Sequence, residues 1–174
     1  MRGGQLVYTI VMKINSTLTD SLGHVCDVVY CDVDSEEELV GKDVSGVHGY
    51  CFYGDKMVIV YSEKKGTWTP PGGGVEPGES PSEAVVREIK EESNMRVIRQ
   101  QIIGYQDISR PEGLKTQTRS VCIVEPYGPF VGDPDGDIDK IELIDPKDYK
   151  KYFDWGEVGD HIMQRALEMR KGMG

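Results

Sequence analysis

The spacing of hydrophobic and polar residues predicts a β-rich first half of the chain. Apolar and polar positions alternate in part over Leu6 to Ile14 and over His24 to Asp32, as in antiparallel strands, and we expect these two segments to pair. Val47 to Tyr53 and Met57 to Ser62 are rich in β-forming residues, and the intervening Gly54-Asp55 favours a hairpin.

A helix is predicted after this β-rich region. Ser80 is suited to be the N-cap, Pro81 stands at the first helical position, and Glu83 can complete a capping box. Asn94 tolerates the left-handed backbone that often ends a helix, so the last helical residue should be near Ser93.

Further strands and a terminal helix are predicted in the second half. Strands are expected over Val97 to Tyr105, Thr116 to Glu125 and Ile138 to Ile144, the first two joined by a loop at residues 110–113. Asp154 to Glu157 predicts a second capping box. The core face of the terminal helix, which should end at Gly172, is formed by Val158, Ile162, Ala166 and Met169.

The first predicted helix carries a cluster of acids behind a glycine-rich loop at residues 69–75. At about 100° per residue, Glu88, Glu91 and Glu92 fall within about a third of the helix circumference, so their carboxylates can meet. Glu83, Arg87 and Glu91 could instead form a solvated charge ladder. That alternative does not explain why Glu88 faces two like charges, and a bound cation would reverse this repulsion. An all-oxygen ligand set selects magnesium, manganese or calcium over zinc or copper.

The segment from Gly73 to Met95 resembles the Nudix box, G-x5-E-x7-R-E-U-x-E-E-x-G-U, in which U is an aliphatic residue. The one departure is Asn94, where the family has glycine, and it leaves the acids intact. The matching residues are Gly73, Glu79, Arg87, Glu88, Ile89, Glu91, Glu92 and Met95.

The resemblance implies a pyrophosphohydrolase that cleaves a nucleoside diphosphate linked to another group, as in nucleoside triphosphates, nucleotide sugars or ADP-ribose. It implies Mg²⁺, or alternatively Mn²⁺, as cofactor, with Glu79 and Arg87 orienting its ligands. The implied catalytic and metal-binding residues are Glu88, Glu91 and Glu92, joined in the metal site by the Gly72 carbonyl. The general base stays open between Glu91 and a loop acid, for which Asp133, Asp135 and Glu112 are the candidates.

The family resemblance also implies the fold: a single α/β domain, built as an α/β/α sandwich around a mixed sheet. We expect the Nudix domain to span residues 45–174. Residues 1–44 would be an extension, with strands packed on the domain, that completes the sheet, covers the substrate or forms a homodimer contact. A catalytically silent Nudix module that binds a nucleotide as a sensor is the alternative function.

Composition narrows the class of protein further. A net charge of −10 over 174 residues argues against a general nucleic-acid surface and is compatible with a small nucleotide substrate. No signal pattern or long apolar segment occurs, so we expect a cytoplasmic protein without a membrane partner. The four cysteines lack metal-ligand spacing, which predicts free thiols. His24, His48 and His161 stand alone and receive no role, and Arg119 is one of several candidates for contacting phosphate.

Overall fold

A mixed β-sheet with a helix on each face organises residues 12–174, the part of the chain that the computed structural model describes. Short 3-10 helices lie at Glu36–Leu39 and Pro146–Lys151. The strands and α-helices are β1 (Lys13–Thr19), β2 (Val25–Asp32), β3 (Val44–Tyr53), β4 (Lys56–Ser62), β5 (Thr67–Thr69), β6 (Gly72–Gly74), α1 (Pro81–Ser93), β7 (Met95–Arg110), β8 (Gly113–Pro126), β9 (Lys140–Ile144) and α2 (Gly156–Lys171).

The strand order is β1-β2-β7-β8-β3-β4-β5, with β6 paired to β3 and β9 paired to β4. The β3–β8 pair is parallel, whereas the other pairs are antiparallel. β3 therefore lies at the centre, and its first half contacts both β8 and the short β6. The predicted mixed sheet in a single domain is confirmed.

Alternation along β3 divides the core into two layers. Val47 and Cys51 point to one face, where they pack with Ala84, Val85 and Ile89 of α1. Tyr50 and Phe52 point to the other face, where α2 supplies buried Val158, Ile162 and Ala166. Because successive side chains of a strand face opposite sides, one central strand anchors both helices.

The first described strand extends beyond the predicted segment to Thr19. β1 covers Lys13–Thr19 and pairs with β2 in antiparallel register, as Asn15 does with Val29. Of the strand expected at Leu6 to Ile14, Lys13 and Ile14 pair with β2 as predicted, and Leu6 to Val11 lie outside the described residues. Polar Ser16 and Thr17 masked the strand in the sequence, since most of β1 faces solvent.

The other strand predictions agree with the structure more closely. The β3–β4 hairpin turns at Gly54-Asp55, and β7 and β8 form a hairpin longer than predicted. The four cysteines are buried free thiols, as expected. Of the helices in the described chain, none is long and apolar enough to cross a membrane.

The second predicted capping box is wrong. Trp155 is the N-cap of α2 and makes no side-chain capping hydrogen bond. Gly156 has a φ of 63°, so the chain turns into the helix one residue later than the sequence suggests. The Asp154 carboxylate consequently accepts only the Gly156 N–H, at 2.9 Å.

Candidate active site

The start and end of α1 fix the orientation of its acidic side. The Ser80 hydroxyl accepts the Glu83 N–H at 3.2 Å, and the Glu83 carboxylate accepts the Ser80 N–H at 2.8 Å. Asn94 ends the helix in the left-handed conformation, with a φ of 53°. The predicted capping box and helix exit are both confirmed. Ala84 and Ile89 are buried against the sheet. The side chains of Glu88 and Glu92 consequently turn toward β6.

Two of the predicted acids contact the glycine strand β6. The Glu92 carboxylate accepts the Gly72 N–H at 2.9 Å. A Cβ added to Gly73 would lie 2.4 Å from Glu88 Oε1, closer than real Cβ contacts allow. The strand must therefore be glycine at position 73 for the Glu88 carboxylate to pack against its backbone.

Arg87 binds three acids through separate parts of its guanidinium, namely Glu79, Glu88 and Glu91. Its Nε and Nη2 donate to the two Glu79 oxygens at 2.8 and 3.0 Å, a bidentate pair. Its Nη1 donates to Glu88 at 2.9 Å and to Glu91 at 3.1 Å. Nη2 also donates to the Gly74 carbonyl at 2.8 Å, so one arginine links α1 to the loop that carries Glu79.

The acids differ in how well their charge is balanced. The Arg87 hydrogen bond lowers the pKa of Glu79. Burial raises the pKa of Glu88 despite its bond to Arg87, and the nearby Glu91 and Asp135 carboxylates act in the same direction. Burial raises the pKa of Glu92 to about 8 despite the Gly72 N–H. Glu88 is thus a buried carboxylate and Glu92 a partly buried one, and the protein itself neutralises both incompletely.

Among residues 12–174, no three His, Cys, Asp or Glu side chains converge closely enough to enclose a metal ion by themselves. The reason is local: Glu88 and Glu91 turn toward Arg87, while Glu92 turns toward Gly72. The donor set nevertheless suits a hard cation, because it is all oxygen and two members are buried with raised pKa values. A divalent cation would supply the positive charge that Glu92 and Glu88 lack.

The loop acids fall into two groups. Asp133 and Asp135 are close enough to act electrostatically on Glu92 and Glu88. The Asp133 carboxylate also accepts backbone N–H groups of its own loop, including that of Ile138 at 3.1 Å. Glu112 lies in the β7–β8 turn, and no hydrogen bond or ion pair joins it to the acids of α1 in the described chain.

A pocket of about 570 Å³ adjoins the acidic site on the α2 face of the sheet. His48 on its floor is the register partner of Gly72, and a Cβ on Gly72 would lie 2.8 Å from the His48 ring. The Gly72 backbone, which donates to Glu92, therefore lies beside the ring of a residue that lines this pocket. We call it the sheet pocket, and its main lining residues are Leu18, Val28, His48, Gln106, Gln117, Arg119 and Trp155.

A second cavity, of about 750 Å³, lies on the outer side of α1 against the loop at residues 131–134. Arg87 and Glu91 form part of its wall, so the acidic site opens into this cavity. The sheet pocket contains buried polar groups, whereas the outer cavity is bordered by the exposed Val131.

Comparison with known families decides the assignment of this site. A model of the NUDIX domain matches residues 24–166. The chain belongs to the Nudix family. The matched region begins before β2, so it includes a strand that the sequence analysis placed in an N-terminal extension. The predicted membership of the Nudix family is confirmed.

Individual relatives agree with the family. The uncharacterized Nudix hydrolase YvcI of Bacillus subtilis is 38% identical over 50 residues, which are 29% of this chain and 32% of that protein. The crystal structure of the Bacillus subtilis pyrophosphohydrolase BsRppH has a TM-score of 0.66 at 19% identity, covering 89% of this chain and 97% of that one. The NUDIX domain of Shewanella oneidensis NrtR, complexed with ADP ribose, has a TM-score of 0.58 at 13% identity, covering 78% of this chain and 93% of that one. Both structures are similar in fold.

The sequence analysis named Arg119 as a candidate for contacting phosphate but missed the other polar and aromatic residues of the sheet pocket. His48 was assigned no role, and Trp155 was treated only as part of a capping box. A signal was present in β8, where Thr116 to Ser120 is a mostly buried polar run directly before the apolar Val121 to Val124. Buried polar side chains need partners, so such a run indicates a site.

Proposed function

We propose that this protein is a divalent-metal-dependent pyrophosphohydrolase that cleaves a diphosphate bond in a nucleoside diphosphate linked to another group. The observation that carries the proposal is the burial of Glu88 and Glu92 against the glycine strand β6 with raised pKa values. Buried carboxylates are costly unless they are paired or coordinate a metal. Both residues lie in a Nudix box whose acids are all present, and this supports a catalytic role for them.

The proposed metal ligands are the carboxylates of Glu88, Glu91 and Glu92 together with the Gly72 carbonyl. Mg²⁺, or Mn²⁺ in its place, would neutralise the charge that develops on the diphosphate oxygens during attack by water. Glu92 is already held at Gly72 by a hydrogen bond of 2.9 Å. Glu88 and Glu91 share one Arg87 nitrogen, which keeps their oxygens on the same side of α1.

Glu79 and Arg87 have a positioning role in this proposal. Their bidentate pair is the best-formed ion pair of the site, and it leaves Arg87 Nη1 free to hold Glu88 and Glu91. Such supporting contacts commonly matter for metal affinity almost as much as the ligands.

We assign the proton-accepting role to Glu91 ahead of the loop acids. The Glu91 side chain is 26% exposed and can reach water. Asp133 is engaged with its own loop, including the Ile138 N–H at 3.1 Å. Asp135 stays the second candidate, because it acts electrostatically on Glu88.

The sheet pocket is the proposed site for the organic part of the substrate. Its lining residue His48 lies beside Gly72, so a nucleotide can place its diphosphate at the acidic site and its base or sugar among the pocket residues. β1 contributes Ser16 to Thr19 to the wall, which supports the prediction that the N-terminal segment covers the substrate. Lys65 acts electrostatically on both His48 and Glu92 and is suited to contact phosphate.

A hydrolysis screen tests the proposal. Nucleoside triphosphates, nucleotide sugars, dinucleoside polyphosphates and ADP-ribose would be incubated with Mg²⁺, and products measured as inorganic phosphate after phosphatase treatment. We expect turnover of at least one class, lost in Glu92→Gln and kept in Glu83→Gln, which removes an α1 carboxylate outside the site and keeps the capping box. Nucleotide binding without hydrolysis across the panel would support the sensor function instead.

A further inference from the structure

The Arg119 side chain is a buried cation without an anionic partner. Its side chain lies on the α2 face of β8, and the residue is 3% exposed. Burial lowers the pKa of Arg119, yet guanidinium remains charged in proteins. No carboxylate of residues 12–174 forms an ion pair with it, and residues 1–11 contain neither Asp nor Glu.

The hydrogen bonds of Arg119 leave one edge of its guanidinium available. Nη1 donates to the Thr118 carbonyl at 2.9 Å, and Nη2 makes a long bond of 3.3 Å to the Gln117 side chain. Nε is buried and has no partner among the described residues. The edge formed by Nε and Nη2 is the same one through which Arg87 binds both oxygens of Glu79. Arg119 thus presents an edge on which Nε has no partner among the described residues and Nη2 has only the long bond to Gln117.

Neighbouring groups are arranged around this edge. His48 is the register partner of Arg119 across the parallel β3–β8 pair, and its Nδ1 is likewise without a partner among the described residues. Burial, followed by the nearby Arg119 charge, keeps the pKa of His48 well below its usual range, so the ring is neutral. The Gln106 amide donates to Gln117 at 3.3 Å, which fixes the amide that contacts Arg119.

The walls of the sheet pocket favour a flat ring over a free anion. Trp155 meets the His48 ring edge-on, with the two centroids 5.7 Å apart, and the Arg119 guanidinium carbon lies 5.7 Å from the centroid of the Trp155 ring. Leu18 and Val28 add apolar walls. Asp154 also lines the pocket, and its carboxylate disfavours a free anion there. A volume of about 570 Å³ is far larger than a single phosphate needs.

We propose that Arg119 is a specificity-determining residue that selects nucleotides with a 6-oxopurine base. The carbonyl oxygen and ring nitrogen N7 of such a base are two adjacent acceptors, which match the Nε and Nη2 donors, as in arginine recognition of guanine. The amino group of adenine would place a donor against the guanidinium and leave both unsatisfied. This inference rests on the proposed function for its physiological meaning, because the pocket is taken to hold the base of the substrate.

Base binding can be measured without metal and without hydrolysis. The chain has two tryptophans, so Trp68→Phe leaves Trp155 as the only indole reporter in the pocket. Quenching of its emission would be titrated with IMP, GMP, AMP, UMP, CMP and inorganic phosphate in the presence of EDTA. We expect IMP and GMP to bind at least about tenfold more tightly than AMP. IMP and AMP differ at the 6-position, so this pair isolates the contact.

Variants of Arg119 identify the residue responsible. Arg119→Met keeps the length of the side chain and removes its donors, so the preference for IMP over AMP should fall to about one, whereas Arg119→Lys should retain part of it. Arg96→Met, which removes an exposed arginine outside the pocket, is the matched control. Melting curves would check that each variant is folded, and the wild-type comparison of IMP with AMP decides the question even if Arg119→Met is unstable.

Several outcomes would overturn the inference. One is that AMP or inorganic phosphate binds as tightly as IMP. Another is that UMP binds as tightly as GMP. A third is that folded Arg119→Met keeps the preference for IMP over AMP. A preference for IMP in EDTA together with no hydrolysis in the metal-dependent screen would leave the inference standing and reject the proposed enzyme. Hydrolysis in the screen together with no base preference in EDTA would reject the inference and leave the proposed enzyme standing.

Discussion

Glu92→Gln should stabilise the metal-free protein while removing its activity. Burial raises the pKa of Glu92 from 4.5 to about 8. Below pH 4.5 both the folded and unfolded states hold the proton, and the carboxyl has no effect on pH-dependent stability. Between pH 4.5 and about 8 the unfolded state ionises while the folded state stays protonated, so the folded state loses stability as pH rises.

The magnitude follows from the size of the shift. Each unit of pKa is worth about 1.4 kcal/mol, so the full shift sets an upper limit of about 5 kcal/mol. Glu92 is only partly buried by its exposed area, and we therefore expect about 3 kcal/mol after solvent screening. Glutamine keeps the side-chain volume and can still accept the Gly72 N–H, but it cannot ionise.

Urea unfolding in EDTA at several pH values between 5 and 9 measures this difference. The free energy of unfolding of Glu92→Gln relative to wild type should rise by about 3 kcal/mol across the range. Glu83→Gln provides the control, because Glu83 lies at the exposed start of the same helix. Parallel pH profiles for wild type and Glu92→Gln would show that Glu92 is not a costly buried carboxyl and would refute the reasoning.

Three further predictions concern the framework of the site. Gly73→Ala should weaken Mn²⁺ binding in calorimetry, because the added Cβ would lie 2.4 Å from the Glu88 carboxylate and displace it. Gly74→Ala should bind Mn²⁺ normally, because its Cβ would approach nothing closer than 4.0 Å. Equal affinities of the two variants would contradict the packing argument. Arg87→Lys keeps the charge but loses the bidentate bond, and kcat should fall by about ten- to hundredfold; near-wild-type turnover would exclude a positioning role. Asn94→Gly should change the free energy of unfolding by no more than about 1 kcal/mol and leave turnover unaltered, since glycine also adopts the left-handed conformation. A large loss of stability or of turnover would show that the helix exit does more than end α1.

The sequence predicted the acidic helix well because its information is local. A cap at Ser80, an exit at Asn94 and the spacing of Glu88, Glu91 and Glu92 depend on backbone geometry within one helix. The same locality explains the correct β3–β4 hairpin, which needs only a two-residue turn between β-forming segments. Contacts within a few residues of one another can be inferred from spacing alone.

The sheet pocket could not be predicted because its residues come from distant segments. His48 and Arg119 become neighbours only through the parallel pairing of β3 with β8, and Gly72 joins them through β6. Trp155 reaches the same pocket from the start of α2, where Gly156 shifts the helix start away from the predicted capping box. Strand register between remote segments is not encoded in local periodicity, so the side chains that meet across it stay hidden.

Calorimetric titration with Mn²⁺, in the presence of a non-hydrolysable nucleotide, tests the central claim most directly. Wild type and Glu83→Gln should bind the ion with the same affinity. Glu92→Gln should bind at least about tenfold more weakly, because it loses one charged oxygen ligand. Equal uptake by Glu92→Gln and wild type, or no uptake by any of them, would contradict a metal site built on Glu88, Glu91 and Glu92.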